Sequence, residues 1–175
     1  MKFTITAGHG AGDPGAVAKS GETEAALMTE LRDIVAHKLR AAYHTVRTDG
    51  ARWQNLPLVH ALTLIPGSDA AIELHTNAHS STTATGVEVI SNPAQRELAR
   101  TIARRIAHVL ELPVRGAGGW IDQSQSARGR LGFVRLGGLV VECFFLSNPG
   151  DFAKYQSRKW MVASAIVAAL TEHPA

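Results

Sequence analysis

The sequence is poor in cysteine, with Cys143 as the single thiol among 175 residues. One thiol excludes an intrachain disulfide and any metal cluster held by several thiolates. Long apolar runs are also missing, because none approaches the roughly 18–20 residues that a membrane-spanning helix needs. The N-terminus has no charged segment followed by an apolar run, which is the pattern of a secretory signal. We therefore expect a protein that is made in a cytoplasm without a signal peptide and that has no membrane span.

Signals of nucleic-acid binding are absent too, since no zinc-finger, helix-turn-helix or RNA-recognition motif occurs. The formal charge of +3 is mildly basic and favours anionic polymers of the cell surface as partners. Hydrophobic residues make up 45% and charged residues 19% of the chain, which are ordinary values for a globular protein. The length fits a single domain over residues 1–175, for which we expect a monomer that does not bind nucleic acid.

Short apolar segments alternate with segments of helical periodicity along the chain, which predicts an α/β fold. We expect a twisted, mostly parallel six-stranded sheet flanked by helices. The predicted strands lie at Phe3–Ala7, His44–Arg47, Asp69–His75, Gly86–Ser91, Leu131–Arg135 and Leu139–Phe145. The predicted helices run from Glu24 to about Tyr43 and over Leu58–Leu64, Pro93–Leu110 and Asp151–Thr171. The segment Pro113–Arg130, with four glycines, is predicted to be a long loop.

Three potential metal ligands lie where the predicted elements meet at one edge of such a sheet. His9 follows the first strand, Glu24 begins the first helix, and His75 ends the third predicted strand. Two imidazoles and one carboxylate with an open fourth position are the ligands of catalytic zinc sites. A zinc ion at this site would polarise a carbonyl group and activate water, which suits the hydrolysis of an amide.

Two further glutamates lie in or beside the predicted strands. Glu142 interrupts the apolar segment Leu139–Phe145, where an unpaired charge is costly, and we predict that it moves the proton in catalysis. Period-two alternation places Glu73 on the same face as His75, so it is either a rival base or a hydrogen-bond partner of that histidine. Cys143 then points away from Glu142 and is expected to be an inert buried thiol.

Each ligand taken alone also has a simpler interpretation. His9 and His75 fit structural histidines, and Glu24 fits an acid that favours the positive end of a helix. His79 is an alternative to His75. It is the convergence of all three at one edge that favours the metal site.

The chain resembles the zinc-dependent N-acetylmuramoyl-L-alanine amidases of the Amidase_3 type. The resemblance rests on GHGAGDPGA with Glu24 downstream, LHTNA around His75, GVEV at Gly86–Val89, and LVVECFFLSN at Leu139–Asn148. It implies that His9, Glu24 and His75 bind one zinc ion and that Glu142 is the catalytic glutamate. The implied substrate is peptidoglycan, cut at the amide between N-acetylmuramic acid and the L-alanine of the stem peptide. The family often has Ser at the position of Glu73.

The resemblance is closest to a single-domain phage or prophage endolysin that lyses its host from the periplasm after release from the cytoplasm. The alternatives are a bacterial amidase for wall remodelling, a zinc peptidase that cuts within the stem peptide, and a wall-binding module without activity. Asn77, Trp120, Arg128 and Arg130 are the candidate substrate contacts. We expect Trp120 to stack on a sugar and the arginines to pair with stem-peptide carboxylates, unless their loop is only a solvated segment.

Overall fold

The sheet is built outward from the opening strand β1 (Lys2–Ala7), whose residues after Lys2 are all buried. A computed structural model describes residues 1–126 and 129–172. In it, β1 lies between β2 (Thr45–Thr48) and β3 (Ala70–Asn77), and both pairings are parallel. Both strands are buried along most of their length, as expected for central parallel strands that are covered on both faces.

The other half of the sheet contains one reversal of direction. Strand β6 (Leu139–Phe145) pairs in parallel with β3, whereas β4 (Glu88–Ser91) pairs antiparallel with β6. The edge strand β5 (Trp120–Asp122) runs parallel to β4, so the order is β2-β1-β3-β6-β4-β5. The predicted α/β fold, with a six-stranded and mostly parallel sheet flanked by helices, is confirmed.

The two faces of the sheet are covered unequally. The main core lies under three long helices, α1 (Glu24–Ala41), α3 (Arg96–Leu110) and α5 (Pro149–Glu172). A smaller cluster on the opposite face lies under two short helices, α2 (Leu58–Leu64) and α4 (Gly132–Arg135). Within residues 1–126 and 129–172, no helix is both long and apolar enough to cross a membrane.

The strand predicted at Leu131–Arg135 is wrong, because this segment forms helix α4. Its two apolar side chains, Phe133 and Val134, are buried in the smaller cluster. A short apolar run fits a strand or a turn of buried helix equally well, so periodicity alone does not distinguish them. The sixth strand is instead β5, inside the predicted loop Pro113–Arg130, where three residues are too few to show alternation.

The remaining boundaries follow the predictions closely. Thr23 caps α1, since its side chain accepts a hydrogen bond from the Ala26 amide. The predicted second strand is shifted by one residue, and β3 continues two residues beyond His75. The helix expected from Pro93 begins with a 3₁₀ turn, Pro93–Gln95, before α3.

Candidate active site

His9 lies in the glycine-rich loop at the carboxyl end of β1. Its backbone has φ of +64°, a left-handed conformation that is uncommon for a residue with a side chain. Nδ1 of His9 lies 2.8 Å from Oδ2 of Asp13, which fixes the orientation of the ring. A side chain at Gly8 would clash with the imidazole of His75, and one at Gly15 would clash with His9 itself. These glycines therefore leave the space in which the two imidazoles approach each other.

Glu24 is the first residue of α1, and its carboxylate is almost fully buried. Oε2 accepts a hydrogen bond from the Ala16 amide at 3.0 Å, and Oε1 accepts one from the Thr76 amide at 2.9 Å. Oε1 also lies 3.0 Å from Nδ1 of His75, and Oε2 lies 3.2 Å from Nε2 of His9. Burial alone would raise the pKa of this carboxyl, but the hydrogen bond with His75 and the close contact with His9 outweigh it and hold the pKa well below its usual range.

His75 lies on β3 between two carboxylates. Its Nδ1 faces Glu24, and its Nε2 lies 3.2 Å from Oε2 of Glu73. Burial lowers the pKa of this imidazole, but the hydrogen bonds with Glu24 and Glu73 and the negative charge of Glu142 raise it to about 10. Without a metal, the ring therefore carries a proton at neutral pH.

These three residues present a set of donors that fits one metal ion. One ligand atom from each of His9, Glu24 and His75 lies within 4.8 Å of the others. Nε2 of His9 is buried and makes no hydrogen bond of acceptable geometry, although Glu24 is close. In both histidines the other ring nitrogen faces a carboxylate, Asp13 or Glu73, as is usual for metal-binding histidines.

Glu142 shares the cavity with this cluster. It lies on β6 directly opposite His75 of β3, so the two side chains project from the same face of the sheet. The side chain is buried, and it lines a cavity of about 450 Å³ together with His9, Glu73 and His75. The next residue, Cys143, lies in the main core on the other face, and burial raises the pKa of its thiol. This placement agrees with the expectation of an inert thiol.

The predicted substrate contacts lie in different surroundings. Asn77 lies at the end of β3, where its amide donates to Glu88 Oε1 at 3.1 Å. Trp120 is buried, its indole N–H donates to Ser91, and the Arg96 guanidinium lies 4.5 Å from its ring centroid. This corrects the expectation that Trp120 stacks on a sugar, because β5 directs its ring into the core.

The structure describes only one of the two arginines of this segment. Arg130 is exposed. Arg128 lies outside the described residues. His79, the alternative ligand, is exposed on its loop, where its Nδ1 accepts a hydrogen bond from the Ser81 amide. It is not among the three residues whose donor atoms meet.

Sequence reasoning missed several residues that support the site. Asp13 was visible four residues after His9 in the glycine-rich loop, but only the fold shows that the two side chains meet. The amide nitrogen of Asn55 lies 2.9, 3.2 and 2.6 Å from the carbonyl oxygens of Ala7, Gly8 and His9. No local pattern reveals this contact, because it joins the loop after β2 to the loop after β1.

Another missed pair lies beside Glu142. Glu88 of β4 is opposite Glu142 across the antiparallel pairing, and its Oε2 is 2.7 Å from Nε of Arg115. The Arg115 side chain is 44% exposed, so it presents a cation at the rim of the same sheet edge. The motif GVEV contained Glu88, but its partner comes from a segment predicted only as loop.

Comparison with known proteins identifies the family. The sequence matches the Amidase_3 family, N-acetylmuramoyl-L-alanine amidase, over residues 4–172. No curated protein matches the sequence. A Neisseria meningitidis structure described as an N-acetylmuramoyl-L-alanine amidase is 39% identical, with a TM-score of 0.89 over 98% of this chain and 94% of that one.

Two more distant structures share the fold. The catalytic domain of CwlV, an N-acetylmuramoyl-L-alanine amidase from Bacillus (Paenibacillus) polymyxa, is 21% identical, with a TM-score of 0.82 over 98% of this chain and 97% of that one. The catalytic domain of the CD27L endolysin, which targets Clostridia difficile, is 23% identical, with a TM-score of 0.76 over 100% and 99% of the two chains. With the family match over nearly the whole sequence, the chain belongs to the N-acetylmuramoyl-L-alanine amidases of the Amidase_3 family.

Proposed function

We propose that this amidase is zinc-dependent, with His9, Glu24 and His75 holding one zinc ion and Glu142 moving the proton. It cuts peptidoglycan at the amide between N-acetylmuramic acid and the L-alanine of the stem peptide. The observation that carries the proposal is the meeting of three donor atoms within 4.8 Å in residues that neighbour a buried glutamate.

The residues fit zinc better than a harder cation. Two imidazole nitrogens and one carboxylate suit zinc, whereas magnesium and calcium prefer sites made of oxygen atoms. The carboxylates of Asp13 and Glu73 hold the outer ring nitrogens of His9 and His75, which leaves the inner nitrogens directed at Glu24. When bound, zinc supplies Lewis acidity that polarises the scissile carbonyl and lowers the pKa of water.

The chain's own contribution to the chemistry comes from Glu142. Its side chain is buried on β6, opposite His75, where it lines the cavity that contains the metal cluster. From there an Oε atom accepts a proton from the attacking water and then donates it to the departing L-alanine amine. Glu73 does not take this role, since its carboxylate is engaged with Nε2 of His75.

The decisive experiment is digestion of purified peptidoglycan followed by mass spectrometry of the products. We expect intact stem peptides that begin with L-alanine, whereas a peptidase would leave cuts inside the stem. Glu142→Gln should lower the rate by roughly 10²–10⁴-fold, because it removes the proton acceptor, and should retain zinc. Glu97→Gln, a change on the exposed surface of α3, is the control. Wild-type turnover in Glu142→Gln would refute the assignment of the base.

The metal is tested separately. A protein stripped with a chelator should release no stem peptides, and stoichiometric zinc should restore the release. Elemental analysis of the protein as purified should give one zinc per chain. An active protein that contains no metal would contradict the zinc proposal and leave the family assignment intact.

We further propose that the protein acts as an endolysin, as a monomer that reaches the peptidoglycan of the periplasm only after release from the cytoplasm. The proposal carries forward the resemblance to phage endolysins, and the catalytic domain of the CD27L endolysin has the same fold. It predicts that purified protein lyses cells whose outer membrane has been permeabilised, without a second protein. Activity that requires an added bacterial partner would favour the alternative, a regulated amidase of wall remodelling.

A further inference from the structure

Two tryptophans are exposed beside α1, outside the cavity of the active site. Trp53, on the loop after β2, has 60% of its surface exposed, and Trp160 of α5 has 58% exposed. Both line one cavity of about 580 Å³, formed by α1, the loop after β2 and α5. Large aromatic rings normally contribute to stability by burial, so two exposed rings in one concave site call for another explanation.

Trp53 is held in place by its backbone. Its φ of +66° is left-handed, which is unfavourable for a bulky residue. The Trp53 amide donates to Oδ2 of Asp33 at 2.9 Å, and Oδ1 of Asp33 accepts from Arg32 at 2.8 Å. Arg32 is fully buried and also donates to the buried Asp49. The fold thus fixes the backbone of Trp53, although its ring is largely exposed and contributes little to stability by burial.

Tyr43 and Trp53 are both exposed aromatic residues with a left-handed backbone, but they lie in different local structures. Tyr43 is 98% exposed and also left-handed, but it follows Ala42, the C-cap of α1, where this conformation commonly terminates a helix. The Trp53 turn has no helix to terminate. Its conformation instead belongs to a tight turn, in which the Gln54 amide donates to the Ala51 carbonyl at 2.9 Å and Trp53 is the third residue.

The tryptophan cavity adjoins the active site through an intermediate groove. Gly10 and Ala11 line both the active-site cavity and this groove, whereas Glu30 and Trp53 line both the groove and the tryptophan cavity. Along α1, nine residues separate the proposed metal ligand Glu24 from Asp33, which is about 14 Å at 1.5 Å per residue. A polymer bound at the active site would need only a short extension to reach Trp53.

The chemistry of the cavity suits a carbohydrate. Its lining combines both signs of charge, with Glu30 and Asp33 beside Arg40 and Arg52, so it favours neither a polyanion nor a polycation. Aromatic rings with a few polar groups recognise ligands that are apolar on one face and polar at the edges, and a pyranose ring has this character. The Arg52 guanidinium lies 5.0 Å from the centroid of the Trp53 ring, where it can donate to hydroxyl or acetamido oxygens.

We propose that Trp53 and Trp160 form an accessory binding site for the glycan strand of peptidoglycan, a β-1,4-linked chain of N-acetylated amino sugars. The inference rests on the proposed function, which makes that polymer the substrate. The site holds the strand away from the point of cleavage and keeps successive stem peptides near the metal cluster.

The binding test uses a soluble N-acetylglucosamine tetramer, which has the glycan backbone but no stem peptide. We expect saturable binding by calorimetry and by tryptophan fluorescence. Trp53→Ala and Trp160→Ala should each weaken it at least tenfold. Trp53→Phe should bind within about threefold of wild type, because the aromatic face remains, and Tyr43→Ala should bind as wild type does. Thermal unfolding of each variant shows whether it is folded.

The kinetic test compares two substrates. On intact sacculi, Trp53→Ala should raise KM at least fivefold with kcat unchanged. On a soluble muramyl peptide with a single sugar, both constants should match wild type, because such a substrate does not reach the tryptophans. Wild-type affinity for the tetramer in both alanine variants would overturn the accessory site. Tetramer binding through Trp53 by a protein that releases no stem peptides would instead overturn the amidase proposal alone.

Discussion

Two carboxylates outside the ligand set hold the imidazoles that face Glu24. Asp13 contacts Nδ1 of His9, and Glu73 contacts Nε2 of His75. Such partners fix the ring and increase its basicity as a ligand, so their loss typically lowers metal affinity by about 10–100-fold.

We therefore predict that Glu73→Gln lowers zinc affinity by about 10–100-fold, as measured by competition with a chromophoric chelator. Asp13→Asn should have a smaller effect, because the Asp13 side chain is 64% exposed and that of Glu73 is 8% exposed. Glu97→Gln is again the control. An unchanged affinity in Glu73→Gln would mean that this carboxylate does not support the site.

The protonation of His75 makes metal binding depend on pH. Its pKa of about 10 in the metal-free fold means that zinc must displace a proton at pH 7. We predict the release of about one proton from His75 per zinc bound. Calorimetric titrations in buffers of different ionisation enthalpy measure this number. Affinity should rise as pH increases from 6.5 towards 10, and an affinity independent of pH would contradict the prediction.

The same groups affect the stability of the metal-free protein in opposite pH ranges. Since the folded-state pKa of His75 lies above its ordinary 6.5, its contribution is complete below pH 6.5 and is lost as pH rises towards 10. The pKa of Glu24 lies below its ordinary 4.5, so its contribution is complete above that pH and is lost only in strong acid.

At the scale of elements, the loop after β2 supports the loop after β1. The Asn55 amide faces three consecutive carbonyl groups, and Oδ2 of the buried Asp49 accepts from the Ala7 amide at 3.2 Å. These contacts hold the backbone on both sides of the strained His9. Since only an N–H₂ group can donate to these carbonyls, they also define which way the Asn55 amide points.

We predict that Asn55→Asp, a change of equal size, lowers zinc affinity at least tenfold, because it replaces a donor with an anion that faces three carbonyl groups. The fold should survive with a lower melting temperature, since the destabilisation expected is about 1–3 kcal/mol. Chelator competition and thermal unfolding are the measurements. Gln54→Ala, on the exposed neighbouring residue, is the control. Wild-type zinc affinity in Asn55→Asp would show that the contacts of the Asn55 amide with the three carbonyl groups do not position His9.

The elements that could be predicted are those with a clear period or clear ends. The apolar strands β1, β3 and β6 and the helices α1 and α2 are visible from their residues alone, and parallel strands bring His9, His75 and Glu142 to one edge. The secondary structure of residues 113–135 was predicted wrongly, because runs of three or four apolar residues are too short to show the period of a strand or of a helix. Asn55 and the Glu88–Arg115 pair were beyond prediction, since their partners come together only through tertiary packing.

At the scale of the molecule, the proposed metal joins three elements that are distant in the sequence: the loop after β1, the start of α1, and β3. Because the unfolded chain lacks the assembled site, zinc at 100 times its dissociation constant should stabilise the fold by about 2.7 kcal/mol. For a chain of this size we predict that the melting temperature rises by roughly 5–10 °C. Scanning calorimetry with zinc and with a chelator measures the shift, and equal melting temperatures would contradict the site.

The unequal cover of the two sheet faces has a consequence for access. The three long helices cover one face of the sheet, whereas the other face carries only the short helices α2 and α4, and the catalytic cavity lies on this thinly covered face. A cell wall is a cross-linked mesh that is far larger than the enzyme and cannot enter a deep tunnel. A thinly covered face lets the enzyme bind to the surface of the intact mesh and cleave it there.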